Sequence, residues 1–354
     1  FTGLLAPYET GKPVPATMKE AALQRLRQLS AHEIGHTLGL QHNYASSYND
    51  RASVMDYPHP NVFINEKGEM DFSKVYTNEI GAWDKRAIMY GYQDFEKNTD
   101  ETKALQNLLA ENTKQGLLFI ADADARAASG FHPNAHLWDN EKDATIGLKN
   151  TLAVRAKALE NFSENTIRIG APLATLEDVL VPVYNYHRYQ LEAVCKLIGG
   201  IDYSYSTRGD EQKKPSFVPA SMQQKALAAA VACLSPTTLT LPEFIVAQIP
   251  PRPPLYYSGE LFAKRTGMSF DPLSAAEALA DFELAFLFNP ERANRLTINK
   301  ARGEGIGFAE LIDAVVAETY QKPLGKGLQE AVGLQTQQMV VTWLLGVSQS
   351  EQSN

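Results

Sequence analysis

Cysteine is scarce in this chain: Cys195 and Cys233 are the only two among 354 residues. A disulfide framework is thereby excluded, and their spacing matches no zinc motif. The two either pair in an oxidising compartment or stay as buried thiols. Long apolar runs are missing as well. Met339 to Val347 is among the longest and falls well short of the roughly 20 residues a membrane-spanning helix needs. No run of Lys and Arg occurs, and the net charge is -8. A nucleic-acid surface, which must neutralise phosphates with clustered cations, is therefore not expected. Strand signals are sparse, and neither an internal repeat nor a low-complexity tract is present.

What remains is an ordinary globular composition, 44% hydrophobic and 21% charged, in a chain long enough for two or three packed units. It opens Phe1-Thr2-Gly3 with no initiator Met and no signal-peptide pattern, which predicts the interior of a longer protein. The segment up to Thr17 reads as loop. Thr17 to about Leu40 reads as one helix, with Thr17 at the N-cap and Glu20 three residues on. Its apolar stripe, Ala22, Leu26 and Leu29, widens from Ala31 onward, the profile of a helix end entering a core. Turns fill 41–77, and a second helix is predicted from Thr77 to about Tyr90, ending at Gly91. Further helices are predicted at 100–115, 145–162, 174–198, 220–234, 272–288, 307–320 and 326–346. Tyr203–Pro219 reads as a polar loop, and the Pro-rich stretch near 235–259 as extended chain on the surface. The fold class expected is mainly α, in two parts: 1–98 carrying the motif below, and a helical region over 99–354.

The strongest signal is His32-Glu33-Ile34-Gly35-His36-Thr37-Leu38-Gly39-Leu40-Gln41-His42. A helix places His32 and His36 on one face, one turn apart, where both imidazoles reach a single Zn²⁺. Glu33 sits beside them as a base for a metal-bound water without being a ligand. Gly39 is the mechanical part: it takes φ > 0 without a Cβ penalty, ends the helix, and swings His42 back toward the ion. Three neutral histidines leave a fourth position open, the arrangement of a catalytic rather than a structural zinc. A buried helix with internally bonded histidines is the alternative for H-E-x-x-H alone. Five matched positions at a helix end argue against it.

This pattern resembles the metzincins, whose signature H-E-x-x-H-x-x-G-x-x-H is followed by a Met-turn. Ser53-Val54-Met55-Asp56-Tyr57-Pro58 is similar to that turn. The resemblance implies that Met55 lies beneath the imidazoles as a soft floor, and that Tyr57 serves as a switchable ligand and oxyanion donor. Asn43, Trp83-Asp84 and Tyr90-Gly91-Tyr92 look most like an uncharacterised bacterial, exported metzincin-like family, and the likeness covers roughly residues 20–95. It implies a zinc-dependent endopeptidase acting on a peptide or protein substrate. A metzincin also carries a twisted sheet before its zinc helix, and about 30 residues before His32 are too few for one. The chain is thus expected to hold the C-terminal part of an α+β catalytic domain, with the upstream part of the same polypeptide as its partner.

Other candidates are weaker. His132 and His136 are four apart, but Gly130 and Pro133 argue against a helix and a second metal site. Asp122 and Asp124 lack a calcium loop and are expected to cap a helix. His59 is near the Met-turn and is read as a loop residue rather than a second oxyanion donor. His187 reads as core. Arg208-Gly209-Asp210 and the sequon Asn161-Phe162-Ser163 carry little information. A binding or scaffold module with a vestigial or structural zinc is the alternative function, against which the intact Glu33 counts. Hydrolysis of a non-peptide amide also stays open.

Overall fold

The computed structural model describes residues 2–4, 16–210 and 212–350, so the expected loop before Thr17 lies largely outside the described residues. The chain is mainly α: 54% helix against 2% strand, so packing between helices rather than a sheet organises it. The first helix, α1, spans Ala16–Thr37. Thr17 therefore lies within its first turn and not at a cap. The second, α2 (Ala82–Tyr92), starts five residues later than periodicity suggests, because the Asp84 carboxylate accepts from the Gly81 N–H at 2.7 Å and sets the start there. Then follow α3 (Glu101–Lys114), the one-turn α4 (Asp122–Arg126) and α5 (Ala144–Glu160).

The predicted helix 174–198 is two. α6 (Leu176–Tyr184) and α7 (Arg188–Leu197) are separated at 185–187. α8 (Ala220–Val231) continues as a 3-10 turn to Leu234. The Pro-rich stretch is not wholly extended: Pro236 and Pro242 introduce two single-turn helices, α9 (Pro236–Leu239) and α10 (Glu243–Val246), since proline's fixed φ suits a first helical turn. α11 (Pro272–Leu287), α13 (Phe308–Tyr320) and α14 (Leu328–Ser348) follow the periodicity closely. Between α11 and α13 lies an unpredicted helix, α12 (Pro290–Ala301), whose polar sequence hides its stripe. Its start was nevertheless readable, since Asn289 caps the Arg292 N–H at 3.0 Å with Pro290 at the first position. Two antiparallel pairs of two residues complete the described strands: β1 (Phe63–Ile64) with β2 (Met70–Asp71), and β3 (Ile201–Asp202) with β4 (Ser216–Phe217).

The main core lies in the helical region. α7 is buried on every side, and its neighbours are α5, α8 and α11, with α14 against α11 and α13 against α8. Leu148, Leu180, Leu191, Val194, Leu284 and Leu287 meet there, each essentially without solvent contact. Cys195 and Cys233 are buried free thiols within it. Burial pushes the Cys195 thiol up to about 12, so it stays protonated and inert. Among the described residues no single helix is long and apolar enough to cross a membrane.

Polar residues tie this core to the N-terminal part. Lys196 on α7 is buried and its ammonium donates to the Ala125 and Ala135 carbonyls. This pins the irregular segment 127–143 to the bundle. In that segment Asp139 is buried, accepts from Ser47 Oγ at 2.8 Å, and has its carboxyl pushed up to about 7 by burial.

The raised Asp139 pKa carries a sign. The folded chain holds this proton more tightly than the unfolded one, so its cost is absent near pH 4 and grows until about pH 7. Asp139→Asn, which keeps an acceptor for Ser47, should therefore gain stability relative to the parent as pH rises from 4 to 8. Urea midpoints measured across that range check this, and a constant gap would refute it.

Candidate metal centre

The site is built at the C-terminal end of α1. His32 is buried, while Glu33 and His36 are exposed on the helix surface. The helix stops in a Schellman arrangement: Leu40 N–H reaches back to the Gly35 carbonyl and Gly39 N–H to the His36 carbonyl, each at 3.0 Å. Gly39 has φ +83°, the left-handed conformation its spacing predicted. The chain then reverses, and His42 returns to face the helix.

His32, His36 and His42 converge as predicted, with one ligand atom from each lying within 4.8 Å of the others. Which atom each presents follows from its outer hydrogen bond. His32 Nδ1 meets the Val54 carbonyl at 2.7 Å and His36 Nδ1 the Leu40 carbonyl at 2.9 Å. His42 Nδ1 meets an Asp122 carboxylate oxygen at 2.8 Å. All three partners are acceptors, so every Nδ1 is the donor, and in the neutral ring every Nε2 presents its lone pair. The Nε2 atoms of His36 and His42 stand 3.2 Å apart. Tetrahedral zinc at about 2.0–2.1 Å sets its nitrogen ligands roughly 3.3 Å apart. The donor set therefore fits zinc. Burial, above all, holds His32 below the ordinary histidine pKa, which keeps that ring neutral as a ligand must be.

The Met-turn is held from beneath. Asp84 at the start of α2 is buried and accepts from Ser53 Oγ at 2.6 Å and the Val54 N–H at 2.8 Å. Val54's carbonyl in turn receives His32 Nδ1 and, at 3.1 Å, the Gln28 side chain one turn earlier on α1. Met55 is wholly buried. It sits hard against α1, where a Cβ on Gly35 would lie 2.2 Å from its sulfur. Met55 is thus packed against the helix that carries His32 and His36, and Gly35, whose role was not foreseen, is what lets it approach.

Tyr57 packs on two of the three imidazoles, with ring centroids 5.4 Å from His32 and 4.9 Å from His42. The Arg126 guanidinium lies 5.0 Å over the Tyr57 ring. His59 is instead buried against Tyr186, ring centroids 4.7 Å apart, and burial lowers it to about 4. His132 is satisfied by the Tyr203 carbonyl and the Asn134 N–H, and His187 is a core residue. Among the described residues, the three histidines of α1 and its turn are the metal-capable group.

Asp122 is the residue whose sequence reading needs correction. The N-cap of α4 is Ala121, without a side-chain bond, and neither aspartate caps. Asp124 accepts from the Tyr203 and Tyr205 hydroxyls. The Asp122 carboxylate takes His42 on one oxygen and Tyr44 and Arg126 on the other. Partial burial pushes this carboxyl up, but the bonds from Arg126 and His42 outweigh it and hold it below the usual range. A metal-facing histidine is typically oriented by such a partner. The only local sign of it was the Asp122–Arg126 spacing of four, since nothing in sequence links residue 122 to residue 42. Asn43, next to the third histidine, completes the bracing: its amide contacts the Leu118 carbonyl and the Ile120 and Ala45 N–H groups.

With this geometry in hand, comparison with known proteins gives one match. A sequence model of the family described as Met-zincin matches residues 15–326. No curated protein and no solved structure matches the chain.

Two measurements test the site. Asp122→Ala should weaken zinc affinity roughly 10- to 100-fold, read by competition with a chromogenic chelator; an unchanged constant removes Asp122 as an orienting group. Gly35→Ala should cost about 1–3 kcal/mol by forcing Met55 aside. Most of that penalty should vanish in a Met55→Ala background, and an equal penalty in both would mean the contact is not its cause.

Proposed function

The chain belongs to the Met-zincin family, and from that premise we propose that it is a zinc-dependent endopeptidase with Glu33 as general base. The observation that carries the reading is the set of three outward Nδ1 bonds, which leaves three Nε2 lone pairs turned to one point. Beside that point Glu33 is solvent-exposed and close enough to His32 to act on its charge. When bound, zinc supplies a Lewis acid for the scissile carbonyl and a water of lowered pKa.

The chain's own residues supply the rest. His32, His36 and His42 orient the ion and leave a position free. Glu33 takes the proton of the attacking water and returns it to the leaving amine. Tyr57 stands next to two of the ligands and donates to the carbonyl oxygen as that oxygen gains charge. The adjacent Arg126 favours the same charge development. A peptide or protein is the substrate in this reading, held with help from an upstream part of the same polypeptide, and an exported location rests on the family resemblance alone.

The decisive experiment compares zinc content and peptide cleavage in the parent and in Glu33→Gln. Zinc stoichiometry should stay the same while kcat falls by about 10²- to 10⁴-fold. Cleavage that survives the substitution would falsify the assignment of Glu33. Zinc binding with no cleavage of any peptide by the parent would favour the scaffold reading.

A further inference from the structure

A small cavity opens one ring away from the metal centre. It is about 240 Å³ and is lined by Arg126, His136, Leu137, Trp138, Tyr189 and Glu192. Trp138 joins it to the site twice: its ring stands 5.6 Å from that of Tyr57, and its N–H donates to the Tyr57 carbonyl at 2.7 Å. The volume is below the roughly 300–1,000 Å³ of sites for drug-sized ligands and suits a single side chain.

Its polar groups are not satisfied by the protein. His136 is 3% exposed, yet neither ring nitrogen has a partner in hydrogen-bonding geometry, the Tyr189 carbonyl making only a looser approach. Glu192 on α7 is largely buried, and His136 Nε2 at 3.6 Å is too far to be a good hydrogen bond to it. A buried carboxylate without a donor is costly, and burial accordingly pushes the Glu192 carboxyl up. The nearby cations are already engaged. Arg126 is bound to Asp122 and lies over Tyr44 and Tyr57. The Lys196 ammonium is spent on two backbone carbonyls, and the Arg292 guanidinium, which also acts on Glu192, donates to the Ile198 and Phe286 carbonyls. Trp138 and Tyr189, 5.2 Å apart, present an aromatic wall against which an alkyl stem and a cationic head pack well.

We propose that this cavity is a substrate subsite that accepts a lysine or arginine side chain, with Glu192 as its counter-charge and the Trp138–Tyr189 pair as its wall. The proposal rests on the peptidase reading and specifies its substrate as peptides with a basic residue near the cleaved bond. An entering cation gives Glu192 the donors it lacks, and hydrogen bonds to a charged group discriminate strongly against a neutral analogue. An acidic side chain meets the Glu192 carboxylate instead.

Arginine and citrulline have nearly the same shape and differ in charge, so they make the test. Acetylated, amidated alanine pentapeptides with arginine, citrulline or glutamate at the centre are titrated calorimetrically into the zinc-incubated full chain carrying Glu33→Gln. Arginine should bind roughly tenfold tighter than citrulline or more, and adding Glu192→Gln should abolish the difference. Equal binding of arginine and citrulline overturns the subsite, as does tighter binding of glutamate. This comparison needs no Glu192 variant and survives any failure of that variant to fold. A preference that persists in a folded Glu192→Gln chain overturns the role of Glu192. Cleavage assays on the parent separate the two readings: cleavage without preference for basic residues sinks the subsite alone. A binding preference with no cleavage, by this chain or by the polypeptide that includes its upstream part, leaves the basic pocket and sinks the peptidase.

Discussion

Three imidazoles can share a metal only if each turns the correct nitrogen inward, and the bond that decides this lies on the far side of each ring. Here those three bonds end on the Val54 carbonyl, the Leu40 carbonyl and the Asp122 carboxylate. Much of the surrounding architecture can be understood as placing these oxygens. The Gly39 turn brings the Leu40 carbonyl back over His36. α2 begins where it does because Asp84 caps it while gripping Ser53 and Val54. α4 is five residues long, too short to be stable alone, and its first residue holds His42.

The same bonds explain why the site is not confined to the segment that bears the motif. Asn43, Tyr44 and Tyr57 bond the chain near 118–120 and 136–138, and Lys196 on the central helix α7 pins that chain to the bundle. Charge follows the same route: Asp122 and Arg126 form a compensated pair beside Tyr44 and Tyr57. The ion pair is partly exposed, so its value lies in orientation more than in stability.

Legibility in the sequence tracked how local each interaction is. The long helices α11, α13 and α14 were readable because repeated apolar positions carry the period. α12 was missed because its face is polar, although Asn289-Pro290 marks its start. The break between α6 and α7 was hidden by an unbroken apolar pattern on both sides. Asp122 and Asp124 look like caps from their immediate neighbours, whereas their partners His42, Tyr203 and Tyr205 lie about 80 residues away in the chain.

Some properties of this protein were settled by sequence alone. The spacing of His32, His36 and His42 with Gly39 between them dictates a helix that ends and doubles back, since four residues make about one turn and glycine alone enters the left-handed region cheaply. Met55 and Tyr57 were legible only through the resemblance to a metzincin Met-turn. Tertiary structure alone decided what stands behind these residues: Asp84 under the Met-turn, Asp122 behind His42, Gly35 against Met55, and Glu192 opposite His136. These partners lie about 20 to 80 residues away in the chain, where no period or local propensity reaches. Their pairing is set by burial, which makes an unpartnered polar group expensive and so selects the fold that brings partners together.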